Sequence, residues 1–406
     1  MRWFDLVACI LGVGPVLAGL YLALLTVLSR VRRGPSVRAV GERTGALFGF
    51  AVVVPSHNEE ANIVATVESL LAVDYPRERR RIIVLADNCT DATADRARSA
   101  GAEVIERFDD QRRGKGFALT DTFPQVLGDA SVGAVVVVDA DTLVTPNLLT
   151  AFNAHLQAGA SVLQARYAIR NADASWRTRL LRIAFAAFHD VRSLGRETLR
   201  VSCGLRGNGM AFSRDALELV PHDTKTIIED LEFGIRLALH GIRVRYVHEA
   251  SVFGEMPADS ASSAVQRKRW EGGRVTVRST YAGALVKRAL GKRDRLAADL
   301  AADLLVPPLG QLGGVLALGM LGSVVLAIVA DVGVVAPWLW GAGLVGVLIY
   351  VARGWMLSGT GARGLLDLAV APAYVGWKLT SKAMRVRKPP TEWVRTPRVG
   401  ESADQQ

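Results

Sequence analysis

The sequence predicts an α/β domain built on a mostly parallel β-sheet and flanked by transmembrane helices. Three observations carry that expectation. Of the 406 residues, 50% are hydrophobic, and the mean hydropathy is +0.23, as one or two soluble domains joined to membrane segments would give. The stretches Leu6–Ser29, Leu304–Ala330 and Val332–Ala352 are free of charge, and each reaches the roughly 20 apolar residues that a ~30 Å hydrocarbon core requires. Between the first and second of them, apolar runs of strand length alternate with helical patterns, which implies βαβ units and a sheet buried on both faces.

The first apolar run is too long for the ~7–15-residue core of a cleaved signal peptide, and Arg2 is the only basic residue before it. Arg30, Arg32 and Arg33 follow it directly and mark a cytoplasmic stop. The positive-inside rule then leaves Met1 outside and Arg30 to about Asp303 in the cytoplasm. The second and third spans make a hairpin whose outer turn holds Asp331, and Arg353 and Arg363 return to the cytoplasmic side. Leu365–Met384 is interrupted by Asp367, Pro372 and Lys378 and is followed by a basic tail. If it spanned, that tail would lie outside, so an interfacial or re-entrant segment is expected.

Within the cytoplasmic stretch, FGFAVVVP reads as a buried strand ending at Pro55, and NEEANIVATVESLLA as an amphipathic helix. RIIVLAD is a second strand, TDATADRARSAG a helix closed by Gly101, and AEVIE a short third strand. GAVVVVDAD is the next strand, and TPNLLTAFNAHLQAG a helix with Pro146 near its first turn. The expected divisions are 1–33 for the first span and its basic stop, 34–260 for the catalytic domain, and 261–303 for an interfacial amphipathic segment. The transmembrane hairpin takes 304–352, and an interfacial or re-entrant segment with its basic tail takes 353–406.

The formal net charge of +10 gathers near these membrane boundaries. Anionic lipid is the natural counterpart, at up to about 1 kcal/mol per basic residue near the surface. No helix-turn-helix, zinc-finger or RNA-binding signature accompanies the charge, so nucleic acid is excluded as the partner. Cys9, Cys89 and Cys203 have neither a disulfide framework nor metal spacing, which suits a reducing cytoplasm.

Ligands of open α/β sheets bind beyond the carboxyl ends of the strands, and acidic residues cluster there. Asp87 closes the second strand in VLADNCTD, where a turn residue would serve equally well. Asp139 and Asp141 follow four valines in VVVVDADT. A pair of oxygen ligands at that edge suits Mg²⁺ or Mn²⁺, which takes one or two carboxylates and completes its shell with water and phosphate. Lys115, between Gly114 and Gly116, can bring an ammonium against a phosphate, although the spacing is not that of a Walker A loop. Gly204, Gly207 and Gly209 crowd the loop before a short strand. Glu229 and Asp230 open a helix, where acids suit the dipole and a carboxylate can also serve as a general base. In QRKRWEGGR, Gln266, Arg269 and Trp270 share one helical face. Gly272 and Gly273 place a break just after it.

VVVPSHNEE, LADNCTD, GKG, DADT, GNGMAF, EDLEFG and QRKRW occur here in the order seen in family 2 glycosyltransferases. The chain resembles the membrane-embedded branch that includes cellulose, chitin, hyaluronan and poly-N-acetylglucosamine synthases, over about residues 48–300 and the flanking spans. The resemblance implies a GT-A fold, a nucleoside diphosphate sugar donor, usually a UDP-sugar, and inverting transfer to a hydroxyl. It implies that His57, Asn58 and Glu59 meet the nucleotide, that Asp87 binds its base, and that Lys115 lies by its phosphates. Asp139 and Asp141 match the D-x-D pair, Asp139 on the nucleotide side and Asp141 as the more direct Mg²⁺ or Mn²⁺ ligand. Asp230 matches the catalytic base, with Glu229 beside the acceptor. Gln266, Arg269 and Trp270 match Q-x-x-R-W, in which Arg269 stabilises the departing diphosphate while Gln266 and Trp270 border the acceptor sugar.

Two departures bear on what is made. Ile-Ile precedes Glu229–Asp230 where processive synthases commonly carry Thr, and three clear spans are few for a polymer channel. A short channel, a homodimer, a polysaccharide-export partner, or a small glycolipid product would each account for that. The expected setting is the plasma (inner) membrane with a cytoplasmic catalytic domain. A catalytically silent subunit of an exopolysaccharide assembly is the alternative from a different class. Retention of Asp87, Asp139, Asp141, Asp230 and Arg269 together argues against it.

Overall fold

The computed structural model of the chain describes residues 3–30, 47–224, 226, 228–256, 260–329 and 333–371. These fall into two compact units. Among them, one is drawn from residues up to 30, from 173–199 and from 299–371, the other from 47–172 and 200–298. In chain order, helix α1 (Trp3–Leu28) is followed by β1 (Phe50–Ser56), α2 (Ile63–Leu71), β2 (Arg80–Asp87), α3 (Thr93–Ser99) and β3 (Glu103–Arg107). Then come α4 (Lys115–Leu127), β4 (Ala134–Val137), β5 (Leu143–Val144), α5 (Leu148–Gln157), β6 (Val162–Ile169), α6 (Trp176–Phe185) and α7 (Arg192–Leu199). The series ends with β7 (Met210–Ser213), α8 (Arg214–Leu219), α9 (Glu229–Leu239), β8 (Val244–Gly254), α10 (Ser260–Lys292), α11 (Arg295–Leu305), α12 (Leu309–Val329) and α13 (Val335–Ser358).

The second unit is organised by one eight-stranded sheet in the order β3-β2-β1-β4-β7-β6-β8-β5. The half made of β3, β2, β1 and β4 is parallel throughout, as the alternation of strands and helices predicts. The other half is mixed: β7 runs antiparallel to β4 and β6, and β5 runs antiparallel to β8. The βαβ pattern that announces parallel pairing breaks down after α5, where the chain enters β6 and later returns as β7. The valines of β1 and β4 are inaccessible to solvent, because helices cover both faces of the central strands. One of the resulting layers packs Val52, Val54 and Val136 against Ile63, Val67, Leu149 and Phe152 of α2 and α5.

The fourth strand ends two residues before Asp139, and the hydrogen bonds show why. The amide of Gly209 takes the Val137 carbonyl at 2.9 Å, the Asn208 side-chain oxygen accepts from the Asp139 amide at 3.1 Å, and the Thr142 amide closes a turn on the Asp139 carbonyl at 3.2 Å. The chain is thus lifted out of the ladder where its acids begin.

Among the described residues of the first unit, three helices are long and apolar enough to cross a membrane: Asp5–Leu28, Leu309–Val329 and Val335–Ser358. The second starts later than the uninterrupted apolar run suggests, since Pro307 and Pro308 separate it from α11. The third continues past Arg353 to Ser358, where Gly359 takes a left-handed conformation with φ of 70°. The backbones of α1 and α13 touch: a Cβ on Gly19 would lie 2.3 Å from the Gly343 carbonyl oxygen, the small-residue contact typical of helices in lipid.

A helical segment, 361–371, follows Gly359. Asp367 on it accepts from Arg179 Nε at 2.6 Å, and Leu365, Leu366 and Val370 are exposed. The rest of Leu365–Met384, the basic tail, Arg32, Arg33 and Asp331 lie outside the described residues.

Asp173–Leu199 belongs to this unit although it sits in the middle of the sheet-forming sequence. Its helices carry buried arginines, and each finds carboxylates. Arg192 pairs with Asp303 at 2.8 Å, and Arg196 pairs with Asp299 at 3.1 Å and Asp303 at 2.9 Å. Tyr350 accepts from Arg192 and Tyr21 accepts from Arg196. Burying these four charges is tolerable because they are mutually neutralised, although Asp299 Oδ2 accepts no hydrogen bond from the described residues.

Candidate functional site

The sequence-predicted acids meet at the carboxyl ends of β1, β2 and β4. The loop after β1 is tied to the loop after β2. His57 Nδ1 lies 2.8 Å from the Asp87 carbonyl oxygen; a carbonyl only accepts, so Nδ1 carries the proton. Asn58 adopts a left-handed φ of 53°, which lets its side-chain oxygen accept from the Thr90 amide at 2.8 Å. The Glu59 amide donates to Thr93 Oγ1 at 2.8 Å, and Glu59 Oε2 accepts from Asn62 at 3.2 Å.

Asp87 is buried and ion-paired with Arg107, the last residue of β3, at 2.7 Å. The same guanidinium reaches Asp109 at 3.0 Å and Asp121 at 2.9 Å, so it holds Asp87 in one orientation. Arg107 carries no sequence signature of function; only its register opposite Asp87 reveals it.

Lys115 is the first residue of α4, behind Gly114 at φ 114°. Its Nζ lies 2.5 Å from Asp139 Oδ1 and 3.9 Å from Glu229 Oε1, and it donates to the Gly207 carbonyl. Burial alone would lower its pKa, but Asp139, Glu229 and Asp230 outweigh that and raise it. Lys115 is therefore a fixed cation. Gly116 allows the close approach, for a Cβ there would sit 2.8 Å from Thr224 Oγ1 and 3.1 Å from the Glu229 Cβ. On the opposite side, a Cβ on Gly207 (φ 78°) would lie 3.3 Å from Asp230 Oδ2. Lys115, Asp139, Glu229, Asp230 and the Gly207 carbonyl are thus one cluster.

Glu229 and Asp230 are displaced from ordinary behaviour. Burial pushes Glu229 up to about 7, with Lys115 opposing and Asp230 reinforcing. Asp230 is also raised by burial, against the Leu231 amide, Lys115 and Arg206; the Leu231 amide donates to its Oδ1 at 2.8 Å. Asp141 accepts from Thr142 Oγ1 at 3.3 Å, and the Ala140 carbonyl between the two acids is held by Thr66 Oγ1 at 2.8 Å. Buried Asn208 joins the D-x-D turn to the glycine loop, accepting from Asp139 and donating to Thr142 Oγ1 at 2.8 Å. Its position between Gly207 and Gly209 is the only sequence signal it offers.

Asp139 and Asp141 present oxygen donors alone, the set that Mg²⁺ or Mn²⁺ takes when substrate phosphate completes the shell. Among the described residues no group of three or more His, Cys, Asp or Glu forms an all-protein cage, and a two-carboxylate site does not require one.

Helix α10, which carries Q-x-x-R-W, packs beside α9. It is continuous through Gly272 and Gly273, so the break expected there does not occur. Gly273 instead serves close packing: a Cβ on it would lie 2.9 Å from Ile228 Cγ1. Further along, Tyr281 OH donates to Glu232 Oε1 at 2.9 Å and Arg288 Nη1 to the Leu239 carbonyl at 2.7 Å. α10 therefore runs beside α9 in the same direction. Trp270, three residues before Gly273, overhangs the start of α9 by about one turn at ~1.5 Å per residue. Gln266 and Trp270 are half-buried; the Arg269 side chain lies outside the described residues. His248 pairs with Glu249 at 3.2 Å, and Glu249 also pairs with His155 at 2.7 Å, a set distinct from the acidic cluster.

Residues 48–273 match the family described as glycosyltransferase like family 2. The chain is 28% identical over 263 residues to a probable glycosyltransferase, YdaM, of Bacillus subtilis (62% of this chain, 60% of the relative). It is 32% identical over 235 residues to a β-monoglucosyldiacylglycerol synthase of Synechocystis (55% and 47%). It is 27% identical over 234 residues to a poly-β-1,6-N-acetyl-D-glucosamine synthase of Staphylococcus aureus (56% and 55%). The chain thus matches between about half and three fifths of the length of these relatives. Among solved structures, the mannosyltransferase PcManGT of Pyrobaculum calidifontis, in complex with GDP-Man and Mn²⁺, aligns with a TM-score of 0.51 at 18% identity. That alignment covers 89% of this chain and 99% of the other, and supports a GT-A-like fold.

Proposed function

The chain belongs to glycosyltransferase-like family 2, and on that premise we propose that it transfers a sugar from a UDP-sugar to a hydroxyl of a membrane-associated acceptor, with inversion. The observation that carries this reading is the Lys115 ammonium set among Asp139, Glu229 and Asp230 at the sheet's carboxyl edge. It provides a fixed positive charge for a diphosphate beside Glu229 and Asp230, two carboxylates whose affinity for a proton is enhanced.

Asp230 is the base. It takes the proton of the acceptor hydroxyl as that oxygen bonds to the anomeric carbon and the bond to the diphosphate oxygen breaks. Its raised pKa favours proton transfer near neutral pH. Glu229, pushed up to about 7 by burial, is partly protonated near neutral pH and in that form can donate a hydrogen bond to the acceptor. Lys115 and Arg269 offset the negative charge that grows on the leaving nucleoside diphosphate, the kind of fixed electrostatic stabilisation that usually dominates catalysis. Mg²⁺ or Mn²⁺ held by Asp139 and Asp141 would add charge neutralisation at the same diphosphate. Asp87, aimed by Arg107, accepts from the base, while His57, Asn58 and Glu59 border the nucleotide. Gln266 and Trp270 receive the acceptor sugar or headgroup.

The membrane-associated acceptor is supported by the three apolar helices and by relatives named for a glycolipid and for a polysaccharide. The test is nucleotide release from a panel of UDP-sugars and GDP-mannose with Mn²⁺ or Mg²⁺, with and without diacylglycerol-containing vesicles, followed by product sizing. UDP release that depends on the acceptor is expected. A correctly folded chain that turns over no donor would overturn the reading in favour of a silent assembly subunit.

A further inference from the structure

Glu232 is an acid of EDLEFG that the proposed mechanism does not use, and its carboxylate is buried and divided between two elements. Oε1 accepts from Tyr281 OH of α10 at 2.9 Å. Oε2 accepts from the Thr226 amide at 3.0 Å, in the short stretch that leads into Glu229 and Asp230. Thr226 precedes the acids, Glu232 follows Asp230 by two residues, and Tyr281 lies on the helix that carries Gln266, Arg269 and Trp270. One carboxylate thereby joins the strand of chain that presents the base to the helix that presents Q-x-x-R-W.

We propose that Glu232 is a positioning residue that sets the separation between the Asp230 base and the Q-x-x-R-W turn, so that acceptor and diphosphate are aligned for transfer. The inference rests on the function proposed above. The neighbouring contacts make this joint specific. Gly273 against Ile228 is a close packing contact, and Arg288 against the Leu239 carbonyl lies at the far end of α9; together they fix where α10 lies along α9. The Glu232 carboxylate adds to that packing a hydrogen-bonded link from α10, through Tyr281, to Thr226. Tyr281 is a suitable donor at all working pH values, since burial, reinforced by Glu232 itself, pushes its pKa up to about 12. Glu232 does not touch the reacting atoms, so its loss should misalign groups without removing one.

The test uses the full chain in membranes or detergent, with Glu232→Gln, Tyr281→Phe and the double variant. Transfer is expected to fall about ten- to hundredfold in kcat for Glu232→Gln, the scale of a lost hydrogen bond to a charged group, while the Kd for UDP changes less than about twofold. Tyr281→Phe should fall less, and the double variant should be no worse than Glu232→Gln, because both changes cut the same link. Independent losses that multiply, an unchanged kcat in Glu232→Gln, or a loss confined to UDP binding would each overturn the proposal. Amide exchange across 270–282 provides a readout that needs no turnover. It should quicken in Glu232→Gln at unchanged exchange in β1 and β4, and unaltered exchange in 270–282 would overturn the link. A wild-type chain that transfers no sugar would instead sink the proposed function, leaving the exchange result to decide the link.

Discussion

Glu229 and Asp230 are adjacent in the first turn of α9, and the surroundings make them unequal. Glu229 faces Lys115 and is pushed up to about 7 by burial, whereas Asp230 has its Oδ1 fixed by the Leu231 amide and its Oδ2 turned toward Gly207. Asp230→Asn keeps the shape and removes the proton acceptor, so kcat should drop by roughly 10²–10⁴-fold with the affinity for UDP retained. Full activity in that variant would transfer the base role elsewhere. A second residue-scale expectation concerns His222, packed edge-on against Phe123 and Phe233 with Nδ1 3.0 Å from Thr120 Oγ1. Burial, with the charges of Arg236 and Lys115, lowers its pKa from 6.5 to about 3. The unfolded chain therefore binds the extra proton between those limits. Stability is fully present above about 6.5 and is lost as pH falls toward 3, by up to a few kcal/mol at about 1.4 kcal/mol per unit. Melting temperatures of the wild type and His222→Gln, followed from pH 7 to 4.5, should converge as the pH falls; parallel curves would count against the buried neutral ring.

At the scale of elements, sequence and structure agree best where periodicity and burial coincide. β1 and β2 were legible because continuous apolar runs end in turn residues, and the acids at their carboxyl ends followed from sheet geometry. The glycines of α10 were misleading. Glycine weakens an isolated helix by about 1 kcal/mol relative to alanine, so the pair at Gly272 and Gly273 reads as a break, but tertiary packing against Ile228 keeps the helix whole. Asn208 and Arg107 were illegible for a different reason: their roles come from partners far along the chain, Thr142 and Asp87. The same helix supplies a matched pair of tests. Gly283 has nothing within 4 Å of an added Cβ, so Gly283→Ala should raise stability by about 0.5–1 kcal/mol through helix propensity. Gly273→Val should lower the melting temperature and the transfer rate together, since its side chain would collide with the residue before Glu229. A tolerated Gly273→Val alongside a harmful Gly283→Ala would contradict the packing of α10 on α9.

For the whole molecule the decisive quantity is the apolar surface of the first unit. Leu11, Leu17, Val27, Leu318, Ile328, Val329 and Trp338 are all exposed, and they lie on the three helices that are long and apolar enough to cross a membrane. In water such a surface would drive aggregation. In a hydrocarbon layer it meets a matching solvent, while the backbone groups of continuous helices need no outside partner. Electrostatic attachment alone would not need that length, because basic residues at a surface contribute only about 1 kcal/mol each and are screened by salt. The two modes predict different extraction behaviour. If the helices span, the chain stays with the membrane through high salt and alkaline carbonate and is released only by detergent. If only the basic residues bind, molar salt removes it. The Arg30 side of α1 adds a direction to this test: protease applied outside intact cells should leave the 48–273 region uncut, and the same protease should cleave it once the cells are opened. Cleavage from outside would reverse the orientation and, with it, remove the nucleotide-sugar supply on which the proposed reaction depends.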